Sequence, residues 1–217
     1  DVDLTGGAAR FRTYPDSWAE RFVGGSGMAA WLIYHQLGPA LAGQLPLDAA
    51  SPLVFFTGPL TGSGLPGTAR SVACALSPLT GIWGEANAGG NFGPALKWAG
   101  WDGIVIRGRA PRPFWLEVTD RGVDIHPAEN LWGQDTYRTT SALLGRAPRG
   151  SLAAVACIGP AGERQAPVAA IIHNRAHAFG RTGMGAVMAS KNLKAVAVRG
   201  KGAVRVADPA AFQAAVA

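Results

Sequence analysis

Two stretches of eighteen residues constrain the fold of this chain more than any other feature. Asn91–Gly108 (NFGPALKWAGWDGIVIRG) and Gly183–Gly200 (GMGAVMASKNLKAVAVRG) align without a gap. Gly93 falls on Gly185, Leu96 on Met188, Ile104–Val105–Ile106 on Val196–Ala197–Val198, and Arg107–Gly108 on Arg199–Gly200. Each copy reads as glycine loop, short helix, strand. Self-similarity of this kind implies two related units, here placed about a pseudo-two-fold axis. Upstream, Val72–Cys74 and Val155–Cys157 both read Val-Ala-Cys, but their distances to the glycine loops differ by nine residues, so the repeat extends only approximately.

The remaining elements are short. DVDLTGGAARFRTYP predicts a strand, a Thr-Gly-Gly turn and a returning strand. A helix is expected from Trp18 to Gln36, capped by Asp16 or Ser17 and divided at Gly24–Gly25–Ser26–Gly27, with Met28, Leu32 and His35 on one face. Strands are expected at Leu53–Thr57, Arg70–Leu76 and Gly103–Arg107, with a helix at Pro94–Trp98. SPLTGIWGEANAGGNFG shows almost no regular pattern. PFWLEVTDRGVDIHPA alternates as a hairpin turning at Asp120–Arg121–Gly122, and TYRTTSALLGRA is an amphipathic helix. SLAAVACIGPAGE and APVAAIIHN read as strands. Short strands with short helices between them argue for an α+β fold, a β-rich platform of two related sheets. Doubly wound α/β is disfavoured because long crossover helices are missing.

Composition narrows the function. Thirty glycines among 217 residues imply many positions of positive φ or close approach. The net charge of +6 comes mostly from scattered arginines. No basic helix, zinc-ligand spacing or aromatic RNA-binding motif accompanies it, so nucleic acid is not the expected partner. Forked guanidinium groups also suit small anions and phosphates. The two cysteines, Cys74 and Cys157, lie in apolar strands and read as buried free thiols. With no C-x-x-C, neither a zinc site nor an iron–sulfur cluster can be built from them alone. No signal peptide and no apolar run near ~20 residues is seen, so a cytoplasmic, non-membrane protein is expected.

The glycine loops admit two readings. Bare N–H groups at a helix start form an anion site, and two copies would make two such sites, with Arg70 and Arg181 nearby. Alternatively, the glycines only permit tight packing of helices on a sheet. Familiar nucleotide loops do not fit. GRTGMGAVM lacks the Gly-Lys-Ser/Thr ending of a Walker A loop and orders its glycines wrongly for the dinucleotide fingerprint.

Taken together, GPLTG, SPLTG, ANAGGNFGPALKWAGWDGIVIRG, NLWGQDTY, CIGPAGE and GRTGMGAVMASKNLKAVAVRG resemble the N-terminal domain of the tungsten-containing aldehyde:ferredoxin oxidoreductase family, in order from about Val23 to Gly200. The resemblance implies that residues 1–217 are a platform for a tungsten or molybdenum ion held by two pterin cofactors whose phosphates share a magnesium ion. By motif, Asn87 and Ala178 offer backbone carbonyls to the magnesium. Ala88, Gly89, His177, Gly180 and Arg181 line the phosphates, and Arg70 stands between a pterin and a 4Fe–4S cluster. No residue here is implied as catalytic. The implied reaction oxidises an aldehyde to a carboxylic acid and passes electrons through the cluster to ferredoxin. The cluster ligands and substrate residues belong to helical domains or a subunit outside this chain.

This sequence departs from the family at HAFGRTG, where Arg-Ala-Ala-Gly-Arg-Gly-Gly is usual: His177 replaces an arginine, Phe179 and Thr182 add bulk, and beyond it Ala189 replaces a frequent glycine. His173 and His177 are expected to have polar or cofactor-contacting roles rather than to ligate the metal. Two other readings stay open: a stand-alone protein binding a pterin or another phosphorylated ligand without turnover, and an inactive platform fragment. An uncovered platform is also expected to self-associate through its apolar face.

Overall fold

Runs of four to six apolar or small residues, punctuated by glycine and proline, fold into twelve strands in the computed structural model, which describes residues 1–146 and 152–216. The first sheet contains β1 (Val2–Asp3), β2 (Ala8–Ala9), β3 (Leu53–Thr57), β4 (Ser71–Leu76), β5 (Trp83–Ala88) and β6 (Gly103–Arg107), in the order β2-β1-β6-β3-β4-β5. The second contains β7 (Phe114–Thr119), β8 (Gly122–Pro127), β9 (Leu152–Cys157), β10 (Ile171–His173), β11 (His177–Phe179) and β12 (Leu193–Gly200), in the order β11-β10-β9-β12-β7-β8. Each sheet has one parallel pair, β1/β6 and β7/β12, and is otherwise antiparallel.

The two sheets are the same design used twice. The alignment that puts Gly103 on Ala195 can be followed outward through the strand registers. Gly103 pairs with Phe56, Phe56 with Val72, and Val72 with Asn87. In the second sheet Ala195 pairs with Cys157, Cys157 with Ile172, and Ile172 with Ala178. The expected pseudo-two-fold repeat therefore spans whole sheets. The Val-Ala-Cys match is not part of it. Cys74 lies on β4, whereas Cys157 lies on β9, the counterpart of β3. Non-equivalent strands explain the nine-residue discrepancy.

Helices α3 (Phe92–Trp98) and α6 (Met184–Ser190) lie in the core between the sheets. Phe92, Leu96, Met184, Val187 and Met188 meet Leu53, Phe55 and Ile106 from one sheet and Ile171, Val196 and Val198 from the other. Outside the first sheet, α1 (Asp16–Phe22) and α2 (Gly25–Leu37) cover Val54, Phe56, Val72, Cys74 and Val105. Outside the second, α4 (Thr136–Leu144) sets Leu143 against Trp115, Val155 and Cys157. Central strands are thus buried on both faces, and so they read as continuous apolar runs such as LVFFT. Two further helices, α5 (Pro160–Glu163) and α7 (Pro209–Val216), complete the described elements, with one 3-10 turn at Gly38–Gly43.

Several boundaries differ from expectation. The first helix begins at Asp16 after Pro15, and neither Asp16 nor Ser17 caps it through its side chain. The helix is interrupted at Val23–Gly24, where a Cβ on Gly24 would lie 2.9 Å from the Thr57 carbonyl oxygen. Met28 and Leu32 are buried, but His35 is exposed and stacks on Trp31 at 5.5 Å. The segment expected to be irregular contains β5. Its inward residues Gly84, Ala86 and Ala88 are small because α6 presses on them, so no hydrophobic alternation reveals the strand. Of APVAAIIHN only Ile171–His173 is strand. Helix α4 is capped by Asp135, which accepts the Arg138 N–H at 2.7 Å. Ala147, the last residue of its predicted span, and Ser151, the first of the following predicted strand, lie outside the described residues.

Both cysteines are buried and free. Burial, with Glu85 nearby, pushes the Cys74 thiol well above its ordinary value. Burial raises Cys157 to about 11, against the opposing effects of the Thr140 hydroxyl and Lys194. The thiolate is the reactive form. Iodoacetamide at pH 8 is therefore expected to leave both unmodified in the folded protein and to alkylate both in denaturant, as read by peptide mass mapping. Rapid native labelling of either would contradict their burial. No described helix is long and apolar enough to cross a membrane.

Candidate functional site

The glycines near the helix starts separate into two groups once packing is considered. A Cβ on Gly93 would sit 2.9 Å from Thr61 Cγ2 and 3.1 Å from the Ala69 oxygen. One on Gly185 would sit 2.6 Å from the Ala170 oxygen and 2.8 Å from the Ala169 oxygen. The Gly185 N–H is also used, donating to Ala169 at 2.9 Å. Gly183 has φ 74° and abuts Pro167 and Pro78. At α6 the anion-site reading does not hold, because the helix is buried throughout and the Gly185 N–H is already used; at both helix starts the glycines allow close packing.

Upstream, the picture changes. Among the described residues nothing lies within 4 Å of a Cβ built on Gly89, and on Gly180 the nearest atom is Ala178 Cβ at 3.7 Å. Neither glycine has a positive φ. These two positions leave space for something outside the chain. The register walk above puts Asn87 and Ala178 at equivalent places, and Gly89 and Gly180 follow each at the same remove.

Asn87 and Ala178 lie on β5 and β11, and Gly89 and Gly180 just after them; these are the edge strands of their sheets, which pack against each other across the pseudo-two-fold. Edge strands carry backbone groups without a ladder partner on their outer side. Thr182 Oγ1 donates to the Glu85 carbonyl at 3.3 Å, so that carbonyl faces the second repeat. Carbonyls two residues apart on a strand point the same way, which gives the Asn87 carbonyl that direction too. The Asn87 side chain is held elsewhere, donating to Glu85 Oε1 at 2.6 Å. What Asn87 can offer a cation is its backbone oxygen.

The other expected residues gather around this edge. Ala88 is buried and pairs with Ser71, so exposed Arg70 stands at the level of Gly89. His177, Ala178, Gly180 and Arg181 are exposed on and just after β11. Phe179 does not intrude: its ring is buried against Phe55 at 5.6 Å and Phe92 at 5.9 Å. Thr182 spends its bulk on the bridge to Glu85. The bulk that these two departures add is absorbed by the fold.

One participant was only half legible. His173 is fully buried, and its Nε2–H donates to the Gly89 carbonyl at 2.6 Å, across the repeat boundary. Its ring stacks on His177 at 4.9 Å and 17°. Burial lowers its pKa to about 4, overcoming the Gly89 bond that favours the proton, with His177 lowering it further. The imidazole is neutral at pH 7.

Other quoted motifs are structural. Thr61 of GPLTG donates to the Arg70 carbonyl at 2.9 Å, and Ser77 of SPLTG donates to the Thr182 carbonyl at 2.9 Å. Glu163 of CIGPAGE accepts the Gly133 N–H from NLWGQDTY at 2.9 Å and pairs with Lys194 at 2.5 Å. Lys191, lowered to about 8 by burial and then by Arg109, donates to the Ser51 carbonyl at 2.5 Å. Among the described residues no three His, Cys, Asp or Glu side chains converge to hold a metal.

Known proteins share this architecture. The family model for the aldehyde ferredoxin oxidoreductase N-terminal domain matches residues 1–200. Tungsten-containing aldehyde ferredoxin oxidoreductase from Pyrococcus abyssi is 40% identical over 211 residues, covering 97% of this chain and 34% of the relative. The WOR-like subunit of an aliphatic sulfonate oxidoreductase from Pyrococcus furiosus is 34% identical over 215 residues, covering 93% of this chain and 34% of that protein. Among solved structures, the active-site complex BamBC of benzoyl coenzyme A reductase with 1,5-dienoyl-CoA superposes with a TM-score of 0.91 at 33% identity, over 98% of this chain and 32% of that one. The chain spans about a third of the length of these relatives. With a match running through both sheets and the paired edge, the chain belongs to the aldehyde ferredoxin oxidoreductase family, in the part that forms its N-terminal domain.

Proposed function

We propose that residues 1–217 are the platform for a tungsten, or molybdenum, bis-pterin cofactor in an aldehyde-oxidising enzyme. The observation that carries this reading is the symmetric edge: Asn87 and Ala178 in equivalent register, each followed by a glycine with open space beside it. A two-fold platform suits a ligand with two like halves. In this reading the carbonyls of Asn87 and Ala178 hold a magnesium ion. The backbone at Ala88, Gly89 and Gly180, with His177 and Arg181, faces the two phosphates, while Arg70 stands toward a 4Fe–4S cluster. Guanidinium forks match phosphate oxygens well.

The metal–pterin group, when bound, supplies two-electron oxidation of an aldehyde to a carboxylic acid, with oxygen from water. This chain's part is to bind and orient it. The relatives carry names for aldehyde, sulfonate and benzoyl-CoA chemistry on like platforms. Substrate choice therefore belongs to the rest of the enzyme, as do the cluster ligands and the docking of ferredoxin. Those parts, in helical domains or a separate subunit, are the proposed partners. Half-exposed Leu60 and Leu79 and the more exposed Ile82 and Val168 offer them apolar contacts, or allow self-association without them.

The test uses the complete protein purified from its host. Wild type is expected to carry tungsten or molybdenum together with pterin, and to oxidise aldehydes with a ferredoxin or dye acceptor. Gly180→Val fills the open space and should lower metal and pterin content by about tenfold, while stability changes by no more than ~1 kcal/mol because φ is ordinary there. Wild-type protein containing neither metal would overturn the reading.

A further inference from the structure

His173 sits where the equivalent strand has alanine. The register that pairs Val72 with Asn87 and Ile172 with Ala178 matches His173 to Ala73, and its cross-strand partner His177 to Ala86. Both alanines are fully buried. Where the first repeat has a pair of core methyl groups, the second thus has two stacked imidazoles, His173 buried and His177 exposed. That arrangement is costly for packing alone. The neutral ring gives its one proton to Gly89, and Nδ1 is left buried with no partner among the described residues. Buried polar atoms without partners are rare and call for a reason.

The reason lies in what the ring holds. Gly89 and Gly90 belong to the first repeat, His173 and His177 to the second. Gly90 has φ 80°, and a Cβ on it would meet His177 Cδ2 at 2.5 Å and His173 Cε1 at 2.8 Å. The first loop is therefore pressed flat against the histidine pair and pinned there by the bond to its carbonyl. Asn87 lies two residues before that carbonyl, and Ala178 one residue beyond His177.

We propose that His173 is a positioning residue: by donating to the Gly89 carbonyl it fixes the spacing between the two halves of the cofactor platform. The inference rests on the platform reading for its functional consequence, though the tether itself does not. Binding constellations lose affinity when their elements drift by even ~1 Å, and one bond across the repeat boundary restrains that drift. His177 covers the ring from the exposed side and keeps water from competing for the Gly89 oxygen.

The experiment compares His173→Gln with His173→Asn in the complete protein. A glutamine amide nitrogen reaches the place of Nε2 and can keep the bond, whereas an asparagine amide reaches only the level of Nδ1 and cannot. Backbone hydrogen exchange of residues 88–91, measured by mass spectrometry, should accelerate at least tenfold in His173→Asn and stay within twofold of wild type in His173→Gln. Tungsten and pterin per folded protein should fall at least fivefold in His173→Asn alone. Equal exchange in the two variants overturns the tether. Changed exchange with unchanged cofactor content keeps the tether and overturns its role in spacing. Absence of tungsten, molybdenum and pterin from wild type instead sinks the platform reading, while exchange still decides the tether. Should His173→Asn not fold, histidine-labelled wild type decides it: solid-state 15N spectra must show an imidazole, lost in His173→Gln, with a protonated Nε2 and a bare Nδ1. The opposite tautomer overturns the proposal.

Discussion

Replacing Gly183 with alanine is expected to cost the fold about 2–5 kcal/mol, combining the penalty for a side chain in the left-handed region with overpacking. Gly183 has φ 74°, and its Cβ would overlap the Pro167 carbonyl oxygen and approach Pro78 Cγ to 2.8 Å. Neither obstacle is the loose end of a flexible side chain. The turn cannot shift to make room either. Ser77 Oγ holds the Thr182 carbonyl at 2.9 Å, and Thr182 Oγ1 holds the Glu85 carbonyl at 3.3 Å. For a domain of this size each kcal/mol lowers the melting temperature by roughly 2–4 °C, so a fall of about 4–20 °C is expected in a calorimetric scan. Gly180→Ala, three residues earlier, should shift it by no more than about 2 °C, since its Cβ enters open space. Equal shifts for the two substitutions would refute the division of these glycines into packing and binding groups.

That division was not readable from the sequence, where Gly180, Gly183 and Gly185 look like one loop. Spacing shows that glycine is present but not whether its missing side chain makes room for the chain itself or for a ligand. Only the neighbours Pro167, Ala169 and Ala170 decide it. The repeat was legible at α3–β6 and α6–β12, because the two helices are each seven residues long, the step from helix to strand is alike, and both units face the same core. Further upstream the unequal loops hid it, and a chance Val-Ala-Cys match pointed to the wrong strands. Strand β5, which carries Asn87, gave no hydrophobic signal because its inner face is Gly84, Ala86 and Ala88. The motif resemblance nevertheless selected Asn87 and Ala178, and the strand registers independently make them equivalent. His173 was noticeable as a histidine, but its partner Gly89 lies 84 residues away, beyond any local pattern.

Removing Glu163 is expected to be as damaging as crowding Gly183, for an electrostatic reason. The Lys194 side chain is fully buried and that of Glu163 is 7% exposed, with 2.5 Å between the ammonium and the carboxylate. Lys194 also donates to the Gln134 carbonyl at 2.8 Å, and both Glu163 oxygens accept from the Gly133 N–H, at 2.9 and 3.0 Å. Glu163→Ala strands a buried ammonium on one carbonyl, and breaking a buried pair from one side costs about 3–5 kcal/mol. The double variant Glu163→Leu, Lys194→Met should recover much of this, because apolar replacement removes the desolvation cost of both charges. Recovery stays incomplete, since the Gly133 N–H then lacks its acceptor, a loss of about 1–3 kcal/mol. Urea unfolding of the single and double variants gives the coupling energy. A double variant no more stable than Glu163→Ala would contradict the ion-pair account. The pair fastens the 131–134 turn and α5 to β12, while Ala178 lies at the far edge of the same sheet on β11. Cofactor content per folded molecule should therefore remain at the wild-type level in the double variant, which separates the motifs that hold the platform together from those that face its ligand.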